Sequence, residues 1–131
     1  MAKILVVDDD PSLREVIAEI LYAEGFHVAQ ARDGESALAH LRSEAWRTTL
    51  ILLDLTMPGM NGRQFREAQL ADPALARIPV AVLSSSDADG VPADARLAKP
   101  VELEALLGTV RTLLRRARDA DERVAAEKVA P

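Results

Sequence analysis

The fold class of this chain is decided by the stretch Leu50-Ile51-Leu52-Leu53-Asp54-Leu55-Thr56-Met57-Pro58-Gly59-Met60-Asn61-Gly62. Its four aliphatic residues, 50–53, run without polar alternation, which is typical of a strand buried on both faces of a parallel sheet. The run stops at Asp54, and the proline and glycines that follow indicate a loop. The stretch therefore predicts a buried strand that ends in a carboxylate.

Further apolar runs occur along the chain, and segments with helical periodicity separate them. The runs that we interpret as strands are Ile4–Val7, His27–Ala31, Val80–Leu83 and Leu97–Ala98. This alternation of strands and helices predicts an α/β fold, a doubly wound parallel sheet with helices on both faces. Ligands of such sheets bind beyond the carboxyl ends of the strands, so the residues that end each strand matter most.

Polar residues follow four of the predicted strands directly. They are Asp8, Asp9 and Asp10 after the first strand, Asp54 after the third, Ser84 after the fourth and Lys99 after the fifth. Clustered carboxylates repel one another unless a cation lies among them, and oxygen ligands without His or Cys suit Mg²⁺. A nearby hydroxyl and ammonium can hold phosphoryl oxygens. We therefore expect a site that places a phosphoryl group on or beside a carboxylate.

Length and composition favour one globular domain and exclude several classes of protein. The chain has 131 residues, of which 49% are hydrophobic and 28% are charged. It has no cysteine, which excludes a disulfide framework and thiol chemistry. No signal peptide is evident, and no apolar run approaches the ~20 residues of a membrane span. We expect a cytoplasmic protein without membrane contact.

The distribution of charge argues against direct nucleic-acid binding. Residues 1–110 contain 10 basic and 17 acidic residues, and residues 111–131 contain 6 basic and 4 acidic ones. An acidic body is unsuited to a phosphate backbone, and an aromatic content of 3% leaves few side chains for base stacking. The arginines near the C-terminus are interpreted as a solvated helix face.

Four segments together resemble the receiver domain of two-component response regulators, of the stand-alone type found among chemotaxis regulators. They are residues 6–11 (VVDDDP), 52–62 (LLDLTMPGMNG), 82–84 (VLS) and 99–100 (KP). The resemblance spans about residues 3–116, and the second segment is its most specific part. It implies a flavodoxin-like sheet of five parallel strands in the order 2-1-3-4-5 with flanking helices.

The resemblance also implies a role for each of the matching site residues. Asp54 is similar to the aspartate that accepts a phosphoryl group from a histidine kinase, a phosphotransfer protein or a small phosphodonor. Asp9 resembles the direct Mg²⁺ ligand, Asp8 a ligand that acts mainly through water, and the backbone carbonyl of Thr56 a further ligand. With Asp54, these residues imply the metal site.

Two other residues match the parts of the family site that respond to phosphorylation. Ser84 resembles the switch hydroxyl that moves toward the phosphoryl group. Lys99 resembles the lysine that pairs with the acyl phosphate, and in the family the bond between it and the following proline, here Pro100, is cis.

The segment between the fourth and fifth strands departs from the family pattern. Ser84 and Lys99 are 15 positions apart, closer than is usual in the family, and Arg96 replaces the usual aromatic. We therefore expect the helix between these strands, helix four of the family, to be shortened or missing. A mobile loop or a single turn over Asp87–Asp94 is expected in its place, with Arg96 able to pair with an aspartate of that loop. The usual dimer through helix four, strand five and helix five becomes unlikely.

These observations predict a phosphorylation-dependent switch that changes its binding to an unknown downstream protein and is not itself an enzyme of the ordinary kind. We expect residues 1–118 to form the receiver domain and residues 119–131 a tail that is an extended helix or disordered, with no attached output domain. Two alternatives stay open. One is a haloacid-dehalogenase-like phosphatase with Asp8 as the nucleophile and Asp10 as the acid; the other is a receiver that has lost its chemistry and only acts as a scaffold.

Overall fold

The fold is a single parallel sheet covered by helices on both faces. We describe residues 2–44, 48–57, 59–85 and 90–129 of a computed structural model. The strands are Lys3–Val7 (β1), His27–Ala31 (β2), Thr48–Asp54 (β3), Val80–Ser84 (β4) and Ala95–Ala98 (β5). They lie in the order β2-β1-β3-β4-β5, and every neighbouring pair is parallel. The predicted fold class and strand order are confirmed.

The described residues form four helices, and local capping explains where two of them begin. The helices are Pro11–Ala23 (α1), Gly34–Glu44 (α2), Gly62–Ala71 (α3) and Leu103–Val129 (α4). Asp10 caps α1 by accepting hydrogen bonds from the backbone N–H groups of Ser12 and Leu13. Asn61 and Gln64 cap α3 reciprocally, each side chain accepting from the other's backbone N–H. Among the described residues, no helix has the length and hydropathy of a membrane span.

Successive residues of the central strands point to opposite faces of the sheet, and both faces are buried. Leu5, Val7, Ile51 and Leu53 pack with α2 and α3 on one face. On the other face, the strand residues Ile4, Val6, Leu50 and Leu52 pack with Ile17 and Leu21 of α1 and Leu106 and Val110 of α4. All eight of these strand residues are 0% exposed, so β1 and β3 form the rigid centre that holds the site.

The β4–β5 connector, residues 85–94, contains no helix at its described positions, 85 and 90–94. This agrees with the prediction that helix four is shortened or missing. The last part of the connector is nevertheless anchored to the protein, because Val91 is buried and Ala93 packs against the core. Positions 87–89 of the expected loop lie outside the described residues.

A buried polar network fastens the end of this connector to α3. The Arg66 guanidinium donates to the Pro92 carbonyl at 2.8 Å and to Gln69 Oε1 at 2.7 Å, and lies 3.8 Å from Asp94 Oδ2. Burial lowers the pKa of Arg66, and the Asp94 carboxylate partly opposes that shift. Gln69 Nε2 in turn donates to the carbonyls of Leu75 and Ile78, both at 3.0 Å. The network takes the place of apolar packing by a helix.

Arg96 makes one contact that the sequence did not suggest. The aspartate nearest to it in sequence, Asp94, lies beside Arg66 and accepts a hydrogen bond from the backbone N–H of Val80 at 2.7 Å. Arg96 is exposed and donates to the carbonyl of Val91. Its expected pairing with Asp87 or Asp89 falls outside the described residues.

The buried network generates a stability prediction. We expect Gln69→Leu to lower the free energy of unfolding by about 2–4 kcal/mol, because the carbonyls of Leu75 and Ile78 lose their donor and Arg66 loses an acceptor. Urea unfolding followed by circular dichroism measures this change. The control Glu67→Leu alters an exposed position of the same helix and should change stability by about 0.5 kcal/mol or less. A Gln69→Leu variant as stable as the parent protein would contradict this account of the network.

Candidate functional site

Three carboxylates converge at the carboxyl ends of the two central strands. One oxygen each from Asp8, Asp9 and Asp54 lies within 4.8 Å of the other two. Val7 of β1 pairs with Leu53 of β3, so the carboxyl ends of the two strands lie side by side. The residues that follow them therefore meet at one edge of the sheet. Asp8 and Asp54 are 1% and 2% exposed, whereas Asp9 is exposed. The sequence prediction that these residues share one site agrees with this geometry.

Asp8 is fixed at nearly every polar atom. Its backbone N–H donates to the carbonyl of Ala31 at 3.1 Å, and its Oδ1 accepts from the backbone N–H of Asp10 at 2.9 Å. Its other oxygen, Oδ2, is buried and has no hydrogen-bond partner among the described residues. Burial is the main cause that raises the pKa of Asp8, and the Asp54 charge adds to it, although the hydrogen bond from Asp10 acts in the opposite direction.

Lys99 supplies the positive charge on the Asp54 side of the cluster. Its Nζ lies 2.8 Å from Asp54 Oδ1, and the same oxygen accepts from the backbone N–H of Thr56 at 3.3 Å. Burial by itself would lower the pKa of Lys99, but the hydrogen bond and charge of Asp54 and the charges of Asp8 and Asp9 outweigh it and raise that pKa. Lys99 is therefore protonated at neutral pH. The Lys99–Pro100 peptide bond is cis, as the resemblance implied.

Ser84 ends β4 next to this cluster. Its strand neighbour Leu83 pairs with Asp54, and its own carbonyl accepts from the backbone N–H of Lys99 at 3.1 Å. The backbone of Ser84 therefore joins the strand end of Asp54 to that of Lys99. Ser84 therefore lies at the edge of the sheet where Asp54 and Lys99 meet.

The loop after Asp54 is closed by a glycine that leaves no room for a side chain. A Cβ atom on Gly62 would lie 2.6 Å from Leu55 Cα and 2.8 Å from the Asp54 carbonyl oxygen. The backbone N–H of Gly62 donates to the carbonyl of Leu55 at 3.1 Å. Gly62 thus brings the start of α3 against the residues that carry the site.

The donor set fits a magnesium ion. Three carboxylates offer hard oxygen ligands, and the buried, unpartnered Oδ2 of Asp8 is a polar atom that a cation or its water shell would satisfy. Without a cation the charges of the three carboxylates are opposed only in part by Lys99, since its Nζ contacts one oxygen of one carboxylate. The residues present are therefore suited to the metal that the sequence predicts.

Sequence reasoning missed two arginines that support the site and its surroundings. Arg14 of α1 donates through Nη1 to the backbone carbonyl of Asp8 at 2.8 Å, and Arg66 holds the connector that precedes β5. A signal for Arg66 was present, because the buried residues of α3 include Phe65, Arg66 and Gln69, spaced as the inward face of a helix. No periodicity identifies Arg14, because its partner is a backbone atom.

Comparisons with known proteins give consistent results. A family model described as the response regulator receiver domain matches residues 4–111. The chain is 34% identical over 121 residues to protein PilH of Pseudomonas aeruginosa, covering 87% of this chain and 98% of that protein. Among solved structures, chemotaxis protein CheY4 of Vibrio cholerae matches with a TM-score of 0.79 and 32% identity, covering 86% of this chain and 98% of that one.

Longer proteins are also similar. The DNA-binding response regulator MtrA of Mycolicibacterium smegmatis is 40% identical over 124 residues, covering 89% of this chain and 52% of that protein. This chain thus spans about half the length of several curated relatives that it matches.

The raised pKa of Asp8 predicts how stability depends on pH without metal. Because the pKa of Asp8 is higher in the folded protein than its ordinary value of 3.8, ionised Asp8 destabilises the fold at neutral pH. We expect Asp8→Asn, which keeps the acceptor for Asp10, to raise the free energy of unfolding by about 0.5–2 kcal/mol at pH 7 in a chelator. The gain should vanish below about pH 3.8, where Asp8 is protonated in both states.

Urea unfolding at several pH values measures this difference. Asp119→Asn, which removes a carboxylate from an exposed position of α4, serves as the control and should show no such dependence on pH. A lower stability of Asp8→Asn at pH 7 would contradict the inferred repulsion.

Proposed function

This chain belongs to the response regulator receiver domains, and we propose that it is a phosphorylation-dependent switch. Receiver domains are regulatory phosphoacceptors that receive phosphoryl groups from histidine kinases or phosphotransfer proteins. In this chain the acceptor is Asp54, and the donor is a phosphohistidine of such a partner or a small phosphodonor. Phosphorylation then changes the binding of a downstream protein.

The observation that carries this proposal is the asymmetric environment of the Asp54 carboxylate. Lys99 and the backbone N–H of Thr56 both contact Oδ1. No hydrogen bond to Oδ2 of Asp54 is found within the described part of the chain. Oδ2 is therefore the oxygen whose lone pair is available for attack on phosphorus.

The transfer step balances without an additional reactant. Asp54 Oδ2 forms a bond to phosphorus while the P–N bond of a phosphohistidine breaks, or the P–O bond of a small donor. The leaving nitrogen or oxygen keeps the bonding electron pair. Lys99 stays protonated throughout and holds the phosphoryl oxygens by charge and hydrogen bonding, while the Ser84 hydroxyl moves to donate to one of them.

Receiver domains bind Mg²⁺ at their acidic pocket. In this chain the ligands would be Asp54, Asp9, the backbone carbonyl of Thr56, and Asp8 mainly through water. When bound, the ion would neutralise negative charge on the phosphoryl oxygens and on the carboxylates that surround them.

The phosphatase alternative is less well supported. It needs Asp8 as the nucleophile, yet the lysine pairs with Asp54, and Asp8 Oδ1 is bound to the backbone of Asp10. Burial also raises the pKa of Asp8, so this carboxyl is less readily ionised than an ordinary aspartate. The scaffold alternative is disfavoured because Asp8, Asp9, Asp54 and Lys99 are all retained in one cluster.

The first prediction from this proposal concerns covalent labelling. Acetyl phosphate with Mg²⁺ should add one phosphoryl group to the parent protein, and Asp54→Asn should abolish labelling, because an amide of similar shape is a poor nucleophile. Intact-mass spectrometry measures the product. Asp119→Asn, which changes an exposed carboxylate of α4, should label like the parent. Labelling that persists in Asp54→Asn would refute the assignment.

A second prediction concerns assembly. Arg96 is exposed on β5, and within the described chain the face through which receivers usually pair has no helix between β4 and β5. We expect the protein with beryllofluoride, an acyl-phosphate mimic, and Mg²⁺ to show the same sedimentation coefficient as the untreated protein. A shift to a dimer that Arg96→Ala prevents would overturn this expectation.

The proposed partners are a kinase or phosphotransfer protein and a downstream protein in the cytoplasm, without direct nucleic-acid or membrane contact.

A further inference from the structure

Arg14 contacts the metal-binding segment without contacting a carboxylate of the acidic cluster. It lies in the first turns of α1 and is half-buried. Its Nη1 donates to the backbone carbonyl of Asp8 at 2.8 Å, and its Nε donates to Gln30 Oε1 on β2 at 3.1 Å. No salt bridge joins Arg14 to Asp8, Asp9 or Asp54 in the described residues. Its charge therefore stands beside the cluster without occupying an oxygen that a cation needs.

The contact completes the restraint of residue 8. The Asp8 N–H is bound to the carbonyl of Ala31, and the side-chain Oδ1 is bound to the backbone of Asp10. Arg14 binds the remaining backbone group, the carbonyl. Of the polar atoms of Asp8, only Oδ2 has no partner in the described chain, and it is buried.

The Asp8 carbonyl belongs to the peptide that joins Asp8 to Asp9. Fixing that peptide sets the backbone torsions on either side of it, and hence the directions in which both carboxylates leave the chain. Asp9 is exposed, and no protein hydrogen bond to its side chain is found in the described residues. Its carboxylate therefore depends on the backbone for its position.

We propose that Arg14 is a positioning residue for the cation site: it fixes the Asp8–Asp9 peptide so that Asp8 Oδ2 and the Asp9 carboxylate face a bound Mg²⁺. This inference rests on the proposed function, since it assumes a magnesium site at these residues. The planar guanidinium suits the task because its Nε–H and Nη1–H reach two acceptors at fixed relative positions, Gln30 on β2 and the Asp8 carbonyl just after β1. A lysine ammonium is a point charge and cannot reproduce that fork.

The direction in which Mg²⁺ affinity changes when Arg14 is replaced distinguishes a positioning role from a simple effect of charge. Removing a positive charge next to three carboxylates would by itself strengthen cation binding. Loss of positioning weakens it, and partners that orient metal ligands typically contribute about tenfold or more to affinity. We therefore expect Arg14→Met to bind Mg²⁺ about tenfold more weakly than the parent.

The experiment is a Mg²⁺ titration followed by amide chemical shifts of ¹⁵N-labelled protein, which reports on folded molecules only. The matched control is Arg115→Met, because Arg115 carries the same charge and lies beside Ala2 and Thr49, at the opposite end of the strands. Its affinity should equal that of the parent. Arg14→Lys should bind more weakly than the parent and more tightly than Arg14→Met, and it also serves if the Met variant does not fold. At saturating Mg²⁺, labelling of Asp54 by acetyl phosphate should recover in the Arg14 variants.

The outcomes are distinguishable. A parent protein that shows no Mg²⁺ binding would remove the metal site of the proposed function and this inference with it. A parent that binds, with Arg14→Met or Arg14→Lys binding equally or more tightly, would overturn only the role of Arg14. Weaker binding by Arg115→Met to the same degree would show that the loss of affinity is not specific to Arg14 and would also overturn it.

Discussion

The dominant constraint at the site is the repulsion among three carboxylates, each with one oxygen within 4.8 Å of an oxygen of the other two, which the rigid sheet holds together. Asp8 and Asp54 extend from the ends of β1 and β3, whose central residues are fully buried, so these carboxylates cannot separate without disturbing the core. Lys99 relieves part of this repulsion through one oxygen of Asp54. The remaining negative charge makes the cluster receptive to a cation, and a cluster that binds a cation can accommodate a phosphoryl group. Repulsion that would destabilise an ordinary surface is here the property on which function depends.

The described residues of the connector between β4 and β5 cover the sheet without forming a helix. Val91 and the Arg66–Gln69 network cover it, so the end of the connector is fastened to α3. On the proposed function, a conformational change that starts at Ser84 would reach residues 92–94, which Arg66 holds against α3.

The sequence predicts the parts of the structure that depend on local patterns. Aliphatic runs predict buried strands, Asp10-Pro11 predicts the start of α1, and polar residues after strands predict the site because parallel strands share one functional edge. Helical spacing places Arg66 on the same side of α3 as Phe65 and Gln69, but hydrophobicity does not predict its burial, because the Pro92 carbonyl that it binds is 26 residues away. The Arg14 contact is likewise invisible in the sequence, since it joins a side chain to a backbone atom. The expected tail from residue 119 continues as helix to Val129, where charged residues and alanines maintain helical propensity, and residues 119–123 are exposed.

Asp54, the carboxylate paired with Lys99, is the proposed phosphoacceptor. The most direct measurement reduces the acyl phosphate with borohydride after labelling by acetyl phosphate and Mg²⁺, then locates the reduced residue by peptide fragmentation. Reduction turns a phosphorylated aspartate into homoserine and leaves free aspartates unchanged. We expect homoserine at position 54 alone. Homoserine at position 8 would contradict it and would favour a phosphatase in which Asp8 is the nucleophile.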